Sequence, residues 1–305
     1  MKQEVIIVRD LNMKTINYIL VIAMLLSFSS CMQQPKEEKQ VETTSQKSYE
    51  YMATVRLTVS ESKRLIAKGI AANKDVKDRL ENGIVIITLG TTNTYLAEEL
   101  AGLSAPRGSF VTGRIFPSWK EDFAKGMKRQ SEIVLLKGKP VDISYADALN
   151  RMNAKDIVFK GANMVNYAKR QAAVCVGAPD GGTVAKLRKY TDSGKGRWMV
   201  PVGLEKETTQ DLFEIQKLTN SDTQRGKGTV RLNVTQGNIY TEIEALKEFA
   251  DVDIHVTAKG GVDGAEGGVS LLICGTKAEV EKAESIVKQL QGEPAFVEST
   301  SDSKK

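Results

Sequence analysis

Apolar residues fall along this chain in two rhythms. From Ser60 they recur at helical spacing through Leu65, Ile66, Ile70, Val76 and Leu80, behind a serine suited to cap a helix, and the run stops at Asn82-Gly83. Ile84 to Gly90 (IVIITLG) is instead continuous and β-branched, the mark of a strand buried on both faces. The following TTNTYLAEELAGL returns to helical spacing through Tyr95, Leu96, Leu100 and Leu103. Further strands are predicted over 132–136, 156–161, 172–177 and 197–203, and further helices over 144–152 and 182–190. Strands alternating with helices predict an α/β fold over 52–219, an open, mostly parallel sheet with helices on both faces.

Residues 220–228 (NSDTQRGKG) turn polar and suit a linker. Beyond it the order is strand (TVRLNV), helix (IYTEIEALKEF), two strands (VDIHVTA and GVSLLICG) and a last helix over 277–290. This β-α-β-β-α order predicts a small C-terminal ferredoxin-like α+β domain over 229–294. The glycine-rich KGGVDGAEGGV between its middle strands is either a lid or a hairpin loop, and His255 alternates with Ile254 and Val256 as a solvent-facing strand residue. The tail over 295–305 is polar and is expected to be disordered.

The N-terminal 31 residues carry a different pattern. MKTINYILVIAMLLSFSSC has a basic start at Lys14, an apolar run over 18–26 and small residues before Cys31. That is the form of a signal peptide, and the apolar run falls short of the roughly 20 residues a bilayer span needs. Phe28-Ser29-Ser30-Cys31 resembles the lipobox of bacterial lipoproteins, with Phe28 in place of the usual leucine. The resemblance implies export, acyl chains on Cys31 and a lipid-anchored protein of the cell envelope. Met13 then reads as the true start, with residues 1–12 an extension. The polar 32–51 reads as a disordered tether.

Composition narrows the chemistry. An ordinary globular core is affordable with 41% hydrophobic and 27% charged residues. The net charge of +5 is spread among acids, so no nucleic-acid partner is expected. A single histidine excludes a multi-histidine metal site, and no residue pattern calls for a cofactor. Cys175 and Cys274 lie inside apolar runs and read as buried thiols.

Candidate chemistry sits in three glycine-bearing turns, each after a predicted strand. Gly90, Thr91, Thr92, Asn93 and Thr94 open a helix whose first N–H groups are free to hold an anion. Lys160, Gly161 and Asn163 follow the strand DIVF. Gly177, Gly181, Gly182 and Thr183 form a turn that lets a ligand approach the backbone closely before another helix. Asp180 within that turn, and Glu205 just beyond the strand over 197–203, are the candidate catalytic carboxylates, set against plainer roles as a turn former and a surface ion pair.

In this order GTTNT, KGANMVN and GAPDGGTV resemble the superfamily of ribose-5-phosphate isomerase, glucosamine-6-phosphate deaminase, DeoR-type effector domains and family I CoA-transferases, over roughly 60–217. The resemblance implies a phosphate-holding first turn. It also implies acids where this chain has Lys160, Asn163 and Met164, so isomerase-type acid–base chemistry through those positions is lost. Nor does the chain carry the CoA-transferase serine-glutamate-asparagine-glycine string around Glu205. Three readings follow: a protein that binds a small anionic metabolite, an isomerase or acyl/CoA transferase using Asp180 or Glu205, and a structural or partner-binding module. A homo-oligomer is compatible with each.

Overall fold

The computed structural model describes residues 48–224, 226 and 228–297. The leader, Cys31 and nearly all of the expected tether lie outside the described residues. From Tyr49 onward the described residues form one compact unit.

The unit opens with β1 (Tyr51–Leu57), α1 (Val59–Ala72), α2 (Lys74–Asn82), β2 (Ile84–Ile87) and α3 (Thr91–Ala101). After a 3-10 turn at Arg107–Phe110 and a long loop come β3 (Ile133–Leu136), β4 (Lys139–Pro140), α4 (Tyr145–Arg151), β5 (Ile157–Phe159), β6 (Met164–Asn166) and β7 (Gln171–Val176). Next are α5 (Gly182–Thr191), β8 (Arg197–Pro201), a 3-10 turn at Leu204–Lys206 and α6 (Leu212–Asn220). The chain ends with β9 (Arg231–Gln236), β10 (Ile239–Tyr240), α7 (Glu242–Lys247), β11 (Asp253–Lys259), β12 (Val269–Gly275) and α8 (Lys277–Lys288).

The central sheet has six strands in the order β10-β8-β5-β2-β3-β4. Pairing is parallel from β10 to β2 and antiparallel for β3 and β4. The fold is therefore α/β with a mostly parallel sheet. Its middle strands are apolar throughout because successive side chains enter opposite cores. Val85, Ile87, Ile157 and Phe159 join a core with helix residues Leu65, Ile66, Leu96 and Leu246. Ile84, Ile86 and Val158 join a second with Leu149, Val184 and Leu187. Burying each such side chain contributes about 1.5–3 kcal/mol, so β2 and β5 hold both helix layers in place.

Four expectations change. The helical pattern from Ser60 to Asn82 is two helices, because Asn73 ends α1 and its side chain accepts the Asp75 and Val76 N–H groups to start α2. Gln171–Val176 lies in a separate antiparallel sheet, β6-β7-β9, since an apolar run specifies burial but not a partner.

The strands expected to form a small C-terminal domain are divided between two sheets, β9 pairing with β7 while β12 pairs with β11 and β1, and the start of the expected helix, Ile239–Tyr240, is a further strand, β10, paired with β8. Ile254, Leu271, Ile273 and Val280 enter the same core as Val85 and Phe159, so no second core sets that region apart. Finally, the start of the tail is packed rather than loose. The Phe296 ring lies 6.1 Å from Tyr95, and Arg107 donates to the Pro294 carbonyl.

Candidate functional site

A cleft of about 1800 Å³ opens beside the carboxyl ends of β2 and β5. All three glycine-bearing turns reach it. Gly90 to Asn93, Lys160 to Asn163, and Gly177, Ala178 and Gly181 to Thr183 line its wall. The third turn follows β7, a strand of another sheet, so this convergence is tertiary. Lys63 of α1 and Lys206 also line the wall.

Two helix N-termini meet there, and they differ from the other six described helices. Those six are capped by Thr58, Asn73, Ser144, Asp211, Thr241 and Thr276, and each carries an acid in its first turn. At α3 and α5 the cap residue is glycine, with no side chain of its own to cap the helix, and the first turn has no acid; at α5 the preceding Asp180 carboxylate takes the Gly182 N–H and leaves those of Thr183 and Val184 open. The N–H groups of Thr91, Thr92 and Asn93, and of Thr183 and Val184, have no acceptor among the described residues. Orphan first-turn donors and the positive end of the helix dipole both favour an anion. Gly181 and Gly182, at φ 78° and 55°, make the tight entry to α5.

Side chains sharpen this polarity. Asn93 is 0% exposed. Its amide donates to the carbonyls of Thr88 (2.7 Å) and Phe159 (2.9 Å), clamping α3 to the ends of β2 and β5. Its Oδ1 is buried without a partner. Lys160 is held by its backbone, with its N–H donating to Met199 and its carbonyl accepting from the Trp198 indole. The Lys160 ammonium makes no hydrogen bond or ion pair with a described residue. Burial lowers its pKa, and the charge of Glu132 offsets this only in part. Lys160 is half-buried, and an unpaired cation so placed carries a desolvation cost that an anion in the cleft relieves.

Below the cleft lies a denser cluster. Lys63, 6% exposed, stands 3.6 Å from Glu205, and Lys206 stands 4.0 Å from the same carboxylate. Both Glu205 oxygens are buried and lack a hydrogen bond. Glu242 is fully buried and accepts the Leu204 N–H at 3.0 Å. Burial, then the nearby Glu205, push the Glu242 carboxyl up to about 7. Burial likewise lowers the Lys63 pKa, against the opposing pull of Glu205.

Other expected residues have structural duties. Thr94 is buried, and its hydroxyl donates to the Gly90 carbonyl. Asn163 accepts the Cys175 N–H at 2.9 Å, tying its turn to β7. Asp180 is exposed and outside the cleft wall, and its carboxylate accepts the Gly182 N–H at 2.9 Å. Glu205 is no surface ion pair, because both its carboxylate oxygens are buried, beside Lys63 and against Gly203, which could not hold a Cβ there. The 259–269 loop joins β11 to β12 as a hairpin loop and contributes nothing to the cleft wall. His255 is exposed on β11. Cys175 lines the cleft as a free thiol whose pKa burial raises, and Cys274 is free and buried.

Sequence reasoning missed Lys63 and the wall formed by the loop over 112–129. Lys63 lies one turn into an amphipathic helix, where a lysine normally faces water. The loop's signal was present as RIFPSWK, an aromatic and basic string in a region without periodicity.

Among the described residues, no cluster of three or more His, Cys, Asp or Glu side chains could hold a metal, and no helix is long and apolar enough to cross a membrane. No protein-family model, curated protein or solved structure matches the chain. The site is therefore read from its own chemistry.

Proposed function

We propose that this chain is an exported, lipid-anchored protein that binds a small anionic metabolite in the cleft. One observation carries the binding reading: the two helices with a glycine cap residue and no first-turn acid are the two that open onto the cleft, whose wall also holds the unpaired Lys160. Glycine and threonine turns at strand ends are the means by which many α/β folds hold phosphate or carboxylate. The address rests on the lipobox-like sequence before Cys31 alone. Labelling cells with a clickable fatty acid, beside a Cys31→Ala control, tests it separately.

The binding test is a thermal-shift screen of inorganic phosphate, sugar phosphates, small carboxylates and acyl-CoAs, followed by calorimetry on any anion that stabilises. The expected result is stabilisation by at least one class, lost in Lys160→Met and reduced in Thr92→Val. Stabilisation by none, or equal stabilisation of both variants, defeats the reading.

A second reading draws on Glu205, whose buried oxygens lack hydrogen bonds beside a lysine of the cleft wall. It makes the protein an acyl or CoA transferase with Glu205 as the attacking carboxylate. Hydroxylamine trapping with an acyl-CoA, lost in Glu205→Gln, separates it from simple binding. Asp180 supports no such role, being exposed and engaged in its own turn.

A further inference from the structure

The loop over 113–129 (GRIFPSWKEDFAKGMKR) has five basic residues against two acidic ones. Both acids are engaged within the loop, Asp122 with Arg114 and Glu121 with Lys125. Lys120, Lys128 and Arg129 are exposed and make no ion pair with a described residue. The loop is pinned on its inner side, where Phe123 and Met127 sit so close over Gly108 that a Cβ there would come within 2.9 Å of the Phe123 ring. Phe123 also meets Phe296 edge-on at 6.2 Å between ring centres. With that side held, Ile115 and Trp119 stand in water at 87% and 79% exposure, the Lys120 ammonium 5.4 Å from the Trp119 ring.

We propose that this loop seats the protein on an anionic lipid surface, with Trp119 and Ile115 entering the headgroup region and Lys120, Lys128 and Arg129 meeting lipid phosphates. Tryptophan flanked by lysine suits the boundary between water and acyl chains, where one end of the side chain must be apolar and its surroundings charged. Basic residues beside such an anchor favour anionic over neutral lipid. Single-stranded nucleic acid fits less well, because Ile115 offers no flat face on which a base can stack. The inference is independent of the lipid on Cys31 and of the anion cleft. Ile115, Lys120 and Arg129 also border the cleft mouth, so the test has to distinguish a bilayer from a soluble anion.

Tryptophan emission makes that distinction. The chain has two tryptophans, and the other, Trp198, is 5% exposed with its indole hydrogen-bonded. Changes in emission on contact with a surface therefore report Trp119, wherever else the full-length chain touches the vesicle. With mixed phosphatidylglycerol and phosphatidylcholine vesicles carrying brominated acyl chains, we expect a blue shift and quenching. Both should weaken several-fold in pure phosphatidylcholine or at raised salt, fall in Ile115→Ser and vanish in Trp119→Phe. Unchanged emission while the protein sediments with anionic vesicles overturns the proposal. So does an equal shift produced without lipid by inorganic phosphate or by a single-stranded oligonucleotide.

Discussion

The two ends of β2 and β5 treat buried polar side chains in opposite ways. At the amino end Asp156, 0% exposed, accepts the Ile84 N–H at 2.9 Å and the Asn153 N–H at 2.8 Å, and lies 3.8 Å from the buried Arg79 guanidinium. Its two side-chain bonds tie the start of β2 to the turn that precedes β5. At the carboxyl end Asn93 is equally buried, yet it leaves Oδ1 unpartnered, and it shares the cleft wall with Lys160, whose ammonium has no partner among the described residues. Satisfied groups hold a fold together, whereas unsatisfied ones store a cost that a ligand can relieve. The amino end therefore reads as stability and the carboxyl end as function.

That contrast breaks most easily at Asp156. Asp156→Ala orphans the Ile84 and Asn153 N–H groups, while Arg79 keeps its pairing with Asp78, and should lower unfolding free energy by about 1–3 kcal/mol for each orphaned N–H in urea denaturation, with anion affinity of the folded fraction unchanged. A small loss, or one confined to binding, would erase the distinction between the ends.

Lys160→Met should do the reverse. Losing a charged hydrogen bond to the anion is expected to weaken affinity roughly ten- to hundredfold by calorimetry, while removing a desolvated charge leaves the melting temperature unchanged or raised. A large drop in melting temperature would place Lys160 with the stabilising groups.

The cluster below the cleft sharpens the comparison through pH. The folded-state pKa of Glu242, raised to about 7, exceeds the ordinary carboxylate value. Between that value and about 7 the folded state therefore holds the extra proton, and stability falls as pH rises through the window. The lowered pKa values of Glu244 and Glu293 act in the opposite sense and below it, their stabilisation being lost as pH falls. Urea midpoints should thus decline from about pH 5 to pH 8 by an amount worth on the order of 1 kcal/mol or more, and Glu242→Gln should flatten the slope. A slope unchanged in Glu242→Gln would assign it to other groups.

The smallest effect belongs to Asp180. Because its exposed carboxylate only caps the Gly182 N–H, Asp180→Ala should change stability by about 0.5–1 kcal/mol and anion affinity by no more than about twofold. A larger loss of affinity would return Asp180 to the site.

Much of this was legible in the residues. The continuous apolar runs at 84–87 and 157–159 could only be strands covered on both faces, and the helical spacing around Leu65 and Leu96 had to pack against them. The turns at Gly90, Lys160 and Gly182 were recognisable because glycine, threonine and lysine at strand ends leave donors without local partners. Less could be read where long-range pairing decides. Nothing in Gln171–Val176 distinguishes a strand of the central sheet from one paired to β9, more than fifty residues on. β1, which claims the edge of β12, lay within the expected tether at its start.

By itself, then, the chain determined its local choices: which segments are helix or strand, which face of each is apolar, and where donors are left free. Those follow from backbone sterics and side-chain period, which act over a few residues. Tertiary structure decided what meets what. It brought three turns from two sheets to one cleft, placed Lys63 behind them from α1, merged the expected small domain into the common core and left Trp119 outside. Such outcomes depend on which of several equally apolar surfaces pack together, and burial is non-directional, so only the assembled core selects among them.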